Sequence, residues 1–104
     1  SIEAVIEECR KMMEEKGLDT WPLQYIVVFL NSAIEKAKAG QVEELLTEWD
    51  IADEFFDKAD RILEDARSEG KITAPEFHAI GSKLSEAKNI AKRLIAQVLR
   101  GQRI

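Results

Sequence analysis

Residues 42–99 decide the fold of this 104-residue chain; they read VEELLTEWDIADEFFDKADRILEDARSEGKITAPEFHAIGSKLSEAKNIAKRLIAQVL. In both halves of the stretch, apolar residues recur at alternating steps of three and four. The first series is Val42, Leu45, Trp49, Ala52, Phe56, Ala59, Leu63 and Ala66, and the second is Phe77, Ile80, Leu84, Ala87, Ala91, Leu94 and Val98. Because this spacing aligns side chains on one helix face, the stretch predicts two long helices, over 42–69 and 74–100.

The residues between the two series predict a tight turn. Gly70 follows the first series, and glycine readily adopts the left-handed conformation that ends many helices. Thr73 and Glu76 have the spacing of a capping box, and Pro75 is tolerated in a first helical turn. We therefore expect the two long helices to form a hairpin.

Two shorter helices are predicted before the hairpin, over 2–16 and 21–39, each followed by a glycine. Residues 20–34 are fifteen consecutive uncharged residues, fewer than the about 20 that cross a bilayer. The second helix is therefore expected to be buried on more than one side. The predicted fold class is all-α: a single domain forming an antiparallel, up-down four-helix bundle with two short N-terminal helices and a long C-terminal hairpin.

The net charge and the cysteine count limit the functions and the cellular location that we expect for this chain. The net charge is −5, which argues against non-specific nucleic-acid binding as the main role. Cys9 is the single cysteine, so an internal disulfide is excluded and a reducing, cytoplasmic location is expected. Cys9 also falls on the apolar face of the first helix, so we expect a buried side chain.

Charge is distributed unevenly between the two long helices. Residues 42–69 hold eleven acidic and three basic residues, whereas residues 77–104 hold six basic residues and one acidic residue. Attraction between the two helices is the simplest interpretation. A nucleic-acid contact by the basic run Lys83–Arg103, or a DNA-mimicking regulatory role for the acidic helix, is the alternative.

Helix lengths suggest a protein–protein contact. At 1.5 Å per residue, the long helices span about 40 Å, and the first two span about 22 and 27 Å. The two short helices are expected to leave about 15 Å of the hairpin uncovered at its turn end. The interaction residues predicted there are Ile62, Leu63, Ile72, Phe77 and Ile80. The chain is thus predicted to be a non-enzymatic interaction module (an adaptor, regulator or assembly subunit) that binds a second copy of itself or a partner protein.

A second hypothesis concerns His78. The run His78-Ala-Ile80-Gly81-Ser82-Lys83 resembles the histidine phosphotransfer domains, which are four-helix bundles of about this size. That resemblance implies that His78 accepts a phosphoryl group. In the family, a glycine and a lysine follow about one turn after the histidine, whereas here they follow three and five residues later.

Other ligands are not expected. Residues 65–77 resemble an EF-hand calcium loop, but Arg67 stands where that family has an oxygen ligand. No Glu-x-x-His pair of a di-iron bundle occurs, and no nucleophile–base pair or phosphate-binding glycine loop is visible. We therefore expect no catalytic residue, metal, cofactor, small-molecule substrate or membrane contact.

The last helix also has a strip of small and polar residues at helical spacing, comprising Ala74, His78, Gly81, Ser82, Ser85 and Asn89. Gly81 lies within that helix, where glycine costs about 1 kcal/mol relative to alanine. Close packing against another helix of the same chain is the first interpretation of the strip, and a docking groove is the second.

Overall fold

The computed structural model describes residues 1–101, which form four α-helices and no strand. They are α1 (Ile2–Glu15), α2 (Trp21–Lys38), α3 (Val42–Ser68) and α4 (Ala74–Gly101). The all-helical prediction is confirmed, and each helix ends within one residue of its expected position. Within 1–101, no helix is both long and apolar enough to span a membrane.

The turn between α3 and α4 has the geometry that its residues predict. Gly70 has a φ of +74°, and the Lys71 N–H donates to the Ala66 carbonyl at 2.9 Å. The Thr73 N–H donates to Glu76 Oε1 at 2.8 Å, and the Glu76 N–H donates to Thr73 Oγ1 at 3.2 Å. The capping box therefore satisfies backbone donors that the first turn of α4 would otherwise leave free.

Helix α1 packs against the first half of α4, in the opposite direction. Lys16, just after α1, pairs with Glu76 at the start of α4, and Lys83 Nζ lies 2.7 Å from Glu8 Oε2. Continuing this register places Ile2 level with about Asn89. Helix α1 therefore covers the turn end of α4, and the last 12 residues of α4, about 18 Å, extend beyond it.

The expectation of an uncovered turn end is consequently wrong. Leu63, Ile72 and Ile80 are only 1–2% exposed, and they belong to the main hydrophobic core. Ile62 and Phe77 are half-buried and pack against the same core. The register of α1 supplies the cover, together with Leu18, which is buried after α1. The length mismatch between the helices is real, but it leaves the opposite end of the molecule uncovered.

Helix α2 packs closely along the first half of α3 and also contacts α1 and α4. Its inner face is buried, and the ring of Phe55 on α3 stacks against Tyr25 and Phe29 with centroid distances of 4.8 and 5.8 Å. The outer face differs from the expectation for an all-round apolar helix. There, Trp21, Tyr25 and Val28 are 46, 41 and 57% exposed.

The two long helices contact each other less closely than α2 contacts α3 or α1 contacts α4. One ion pair bridges them near their middle, between Lys88 Nζ and Asp53 Oδ1 at 2.5 Å. Lys88 Nζ also lies 5.3 Å from the centroid of the Phe56 ring. The predicted hairpin is present, but a groove separates α3 from α4 on either side of this bridge.

Candidate interaction surface

The groove between α3 and α4 is apolar at the end opposite the turn. This section, called the open-end groove below, has a volume of about 330 Å³ and is lined by Leu45, Leu46, Trp49, Lys92, Ile95, Ala96 and Leu99. Lys92 is the charged member of that lining. Leu46 is 58% exposed, and Val42, one helical turn before it, is 50% exposed. Apolar side chains from two helices thus form a solvent-facing concave surface.

The open end of the molecule is covered by α2 and not by α1. Leu45 is buried with Ala33 and Ala37 of α2 in a small separate core, and Ile95, Val98 and Leu99 pack partly against it. Because α4 continues beyond α1 here, Leu94 has no α1 residue to cover it. The seam that is buried nearer the start of α4, at Ile80 and Leu84, is therefore exposed at Leu94.

The outer face of α2 is a second exposed apolar surface of a different kind. Trp21 contacts the rings of Tyr25 and Phe55 edge to face, with both centroid distances at 6.2 Å. The three rings therefore stabilise one another within the monomer. Edge-to-face pairs of this kind contribute about 0.5–1.5 kcal/mol beyond the area that they bury. Convergence of apolar side chains from two helices onto a concavity distinguishes the open-end groove from this convex strip.

Nearer the turn, the α3–α4 groove becomes polar and has a volume of about 660 Å³. Residues of the small and polar strip on α4 line it opposite Asp60 and Glu64 of α3. A Cβ built on Gly81 would meet no atom within 4 Å, so the first interpretation of Gly81, close packing against another helix of this chain, is wrong. Partial burial raises the pKa of the Asp60 carboxyl above its usual value, and the charges of Asp57 and Glu64 raise it further.

His78 is exposed in the second turn of α4 and lines the polar section of the groove with Gly81 and Ser82. Its ring contacts that of Phe77 edge to face at a centroid distance of 5.6 Å. Glu64 and Asp60 line the same section. A phosphoryl group on His78 would therefore enter a groove that already holds carboxylates, and like charges repel.

Cys9 is fully buried beside Met13, with its Sγ 3.9 Å from the Met13 sulfur, as its place on the apolar face predicts. Burial raises the pKa of the Cys9 thiol to about 12, and the Asp60 charge adds to this. At neutral pH the group is therefore the unreactive thiol.

The basic residues of α4 are divided among several neighbours. Lys83 pairs with Glu8 and Glu86, and Lys88 pairs with Asp53. Arg93 and Arg100 are exposed, and Arg103 lies outside the described residues. The basic run is thus interrupted by internal ion pairs rather than presented as one continuous face.

Residues 1–101 contain no group of three or more His, Cys, Asp or Glu side chains placed to hold a metal ion. In the segment that resembles an EF-hand loop, Lys71 Nζ lies 3.0 Å from Glu69 Oε2, and Glu76 is engaged by Lys16 and the capping box. Those carboxylates bind cationic and backbone groups of the chain itself.

Comparisons of this chain with protein-family models, with curated proteins and with solved structures find no match.

Proposed function

We propose that this chain is a non-enzymatic protein–protein interaction module, an adaptor, regulator or assembly subunit, that binds a second copy of itself through the open-end groove. The observation that carries the proposal is the exposure of Val42 and Leu46 beside an apolar concavity. Apolar patches of this kind, rimmed by polar residues, mark interaction sites in soluble proteins. We propose the open-end groove as the binding surface instead of the turn end of the hairpin, because the apolar residues of the turn end are buried in or packed against the core.

The overall arrangement behind this proposal is an antiparallel four-helix bundle in the cytoplasm. Antiparallel packing of α1 on α4, and of α2 on α3, supports the bundle. The single buried Cys9 supports a reducing compartment.

The expected dimer is weak. Interfaces of standard size bury about 800 Å² per partner and involve about 20–30 residues on each side. The open-end groove has seven lining residues, so we expect dissociation in the micromolar range rather than the nanomolar range.

Light scattering across a concentration series tests the proposal, with two variants that are matched in exposure. Leu46→Glu places a charge in the groove, and Val28→Glu places the same charge on the outer face of α2, where the valine is 57% exposed. The wild type and Val28→Glu are expected to rise from 11.8 kDa toward twice that mass, while Leu46→Glu stays at 11.8 kDa. Equal behaviour of the two variants would refute the proposed surface.

His78 supports a second candidate function, as the acceptor of a phosphotransfer module. The supporting observation is its exposure beside Gly81, which leaves room for an approaching protein. Incubation with a small phosphoryl donor such as phosphoramidate, followed by ³¹P NMR, tests this candidate. A phosphohistidine signal that is lost in His78→Gln, with helicity unchanged, supports it, and absence of the signal in the wild type contradicts it.

A further inference from the structure

The edges of the open-end groove carry opposite charges. On α3, Glu43 and Asp50 lie three residues before and four residues after Leu46, so they share its side of the helix. On α4, Arg93 and Arg100 stand in the same relation to Ala96. We call Glu43 and Asp50 the acidic rim, and Arg93 and Arg100 the basic rim.

The two rims are not neutralised within the monomer. All four side chains are exposed, and among residues 1–101 none of them forms an ion pair. The nearby pair Lys88–Asp53 differs, because it bridges α3 and α4 directly at 2.5 Å. At the open end, the apolar groove lies between the two helices and keeps the acidic and basic rims apart.

From this arrangement we infer that the second copy binds by a two-fold rotation that places the acidic rim of each copy against the basic rim of the other. The inference rests on the proposed function. A two-fold interface uses the same patch on both copies, so the patch must be complementary to itself. An apolar centre between one acidic edge and one basic edge meets this requirement, since both edges find opposite charges at once. A partner of uniform charge would be repelled by one of the two rims.

Rim charges contribute mainly to orientation and to the rate of association, and salt screens them. We therefore expect the apolar groove to provide most of the affinity, and the rims to fix the pairing of the acidic rim of each copy with the basic rim of the other, which we call the crossed arrangement. Raising the salt concentration from 50 to 500 mM should weaken the wild-type dimer. A like-to-like arrangement, acidic rim on acidic rim, would instead be strengthened by salt.

Charge reversal tests the arrangement. The acidic-rim variant is Glu43→Lys with Asp50→Lys, and the basic-rim variant is Arg93→Glu with Arg100→Glu. In the crossed arrangement, each variant alone brings like charges together, and we expect its dimerisation to be about tenfold weaker than that of the wild type, since exposed charge pairs each contribute only modestly. An equimolar mixture of the two should form a heterodimer with an affinity near that of the wild type.

A variant with all four substitutions is the control for overall charge, because it keeps the wild-type net charge of −5. It is expected to dimerise like the wild type, since both rims are reversed together. Sedimentation velocity of each variant and of the mixture gives the dissociation constants.

The outcomes separate this inference from the proposed function. A wild type that stays monomeric at every concentration overturns both. A wild type that dimerises while the acidic-rim and basic-rim variants dimerise equally well overturns the crossed arrangement alone. Weakened variants, with recovery in both the mixture and the fourfold variant, support the crossed arrangement.

Discussion

Replacing Gly81 by alanine should stabilise the protein. Gly81 lies inside α4 with a φ outside the positive region, and a Cβ at this position meets nothing within 4 Å. Alanine therefore has no steric penalty at this position. Its higher helix propensity should stabilise the folded protein by about 1 kcal/mol relative to glycine. For a domain of this size, 1 kcal/mol corresponds to a rise in Tm of about 4–8 °C.

Gly70→Ala is the matched control, because a Cβ at Gly70 also meets nothing within 4 Å, but its φ is +74°. Alanine in that left-handed conformation costs roughly 1–2 kcal/mol, so this variant should melt at a lower temperature than the wild type. Circular dichroism at 222 nm during heating measures both variants at one protein concentration. A Gly81→Ala variant that melts at or below the wild-type temperature would refute the reasoning about open space at Gly81.

Three further predictions concern the core and the ionisable groups. Leu63→Ala should lower the free energy of unfolding in urea by about 2–5 kcal/mol, whereas Leu46→Ala, measured at a concentration where the chain is monomeric, should change it by about 0.5 kcal/mol or less. Similar losses would contradict the assigned burial. Lys16 and the capping box lower the pKa of Glu76 to about 2, below its ordinary value of 4.5. The stability that this carboxylate contributes is therefore present above pH 4.5 and lost as the pH falls toward 2, so the difference in unfolding free energy between wild type and Glu76→Gln should shrink over that interval. A difference that is constant with pH would contradict the ion pair. Cys9 should react slowly with a thiol reagent at pH 8 in the folded protein and rapidly in denaturant, and rapid reaction without denaturant would contradict its burial.

The helices and the capped turn were predictable because their signals are local. The periodicity of 42–66 and 77–98 and the Thr73–Glu76 capping box need no knowledge of distant residues. The burial of Cys9 followed from its place on one face of α1. Each of these features depends on residues within a few positions along the chain.

The location of the exposed surface depended on long-range register, which periodicity does not specify. The mismatch in helix lengths was visible, but the end left uncovered depends on where α1 lies along α4. That register involves the ion pairs of Lys16 with Glu76 and of Glu8 with Lys83, more than 50 residues apart in sequence. Complementary charges at these positions were the available signal, although many other acid–base pairings of the same sequence are possible.

The exposure of Leu94 has the same origin. It belongs to the apolar series of α4, which looks uniform in the sequence, and it differs from the buried Ile80 and Leu84 because α1 does not extend as far as Leu94. The exposed outer face of α2 is a related case, since an apolar sequence does not specify which of its faces has no neighbour.

The most direct test of the central claim is an NMR dilution series of the ¹⁵N-labelled wild type. If the open-end groove binds a second copy, amide shifts should change with concentration in residues 42–53 and 92–101. Residues 62–80, around the turn, should remain unchanged, and Leu46→Glu should remove the concentration dependence. Shifts concentrated in residues 62–80, or no shifts up to millimolar concentration, would contradict the claim.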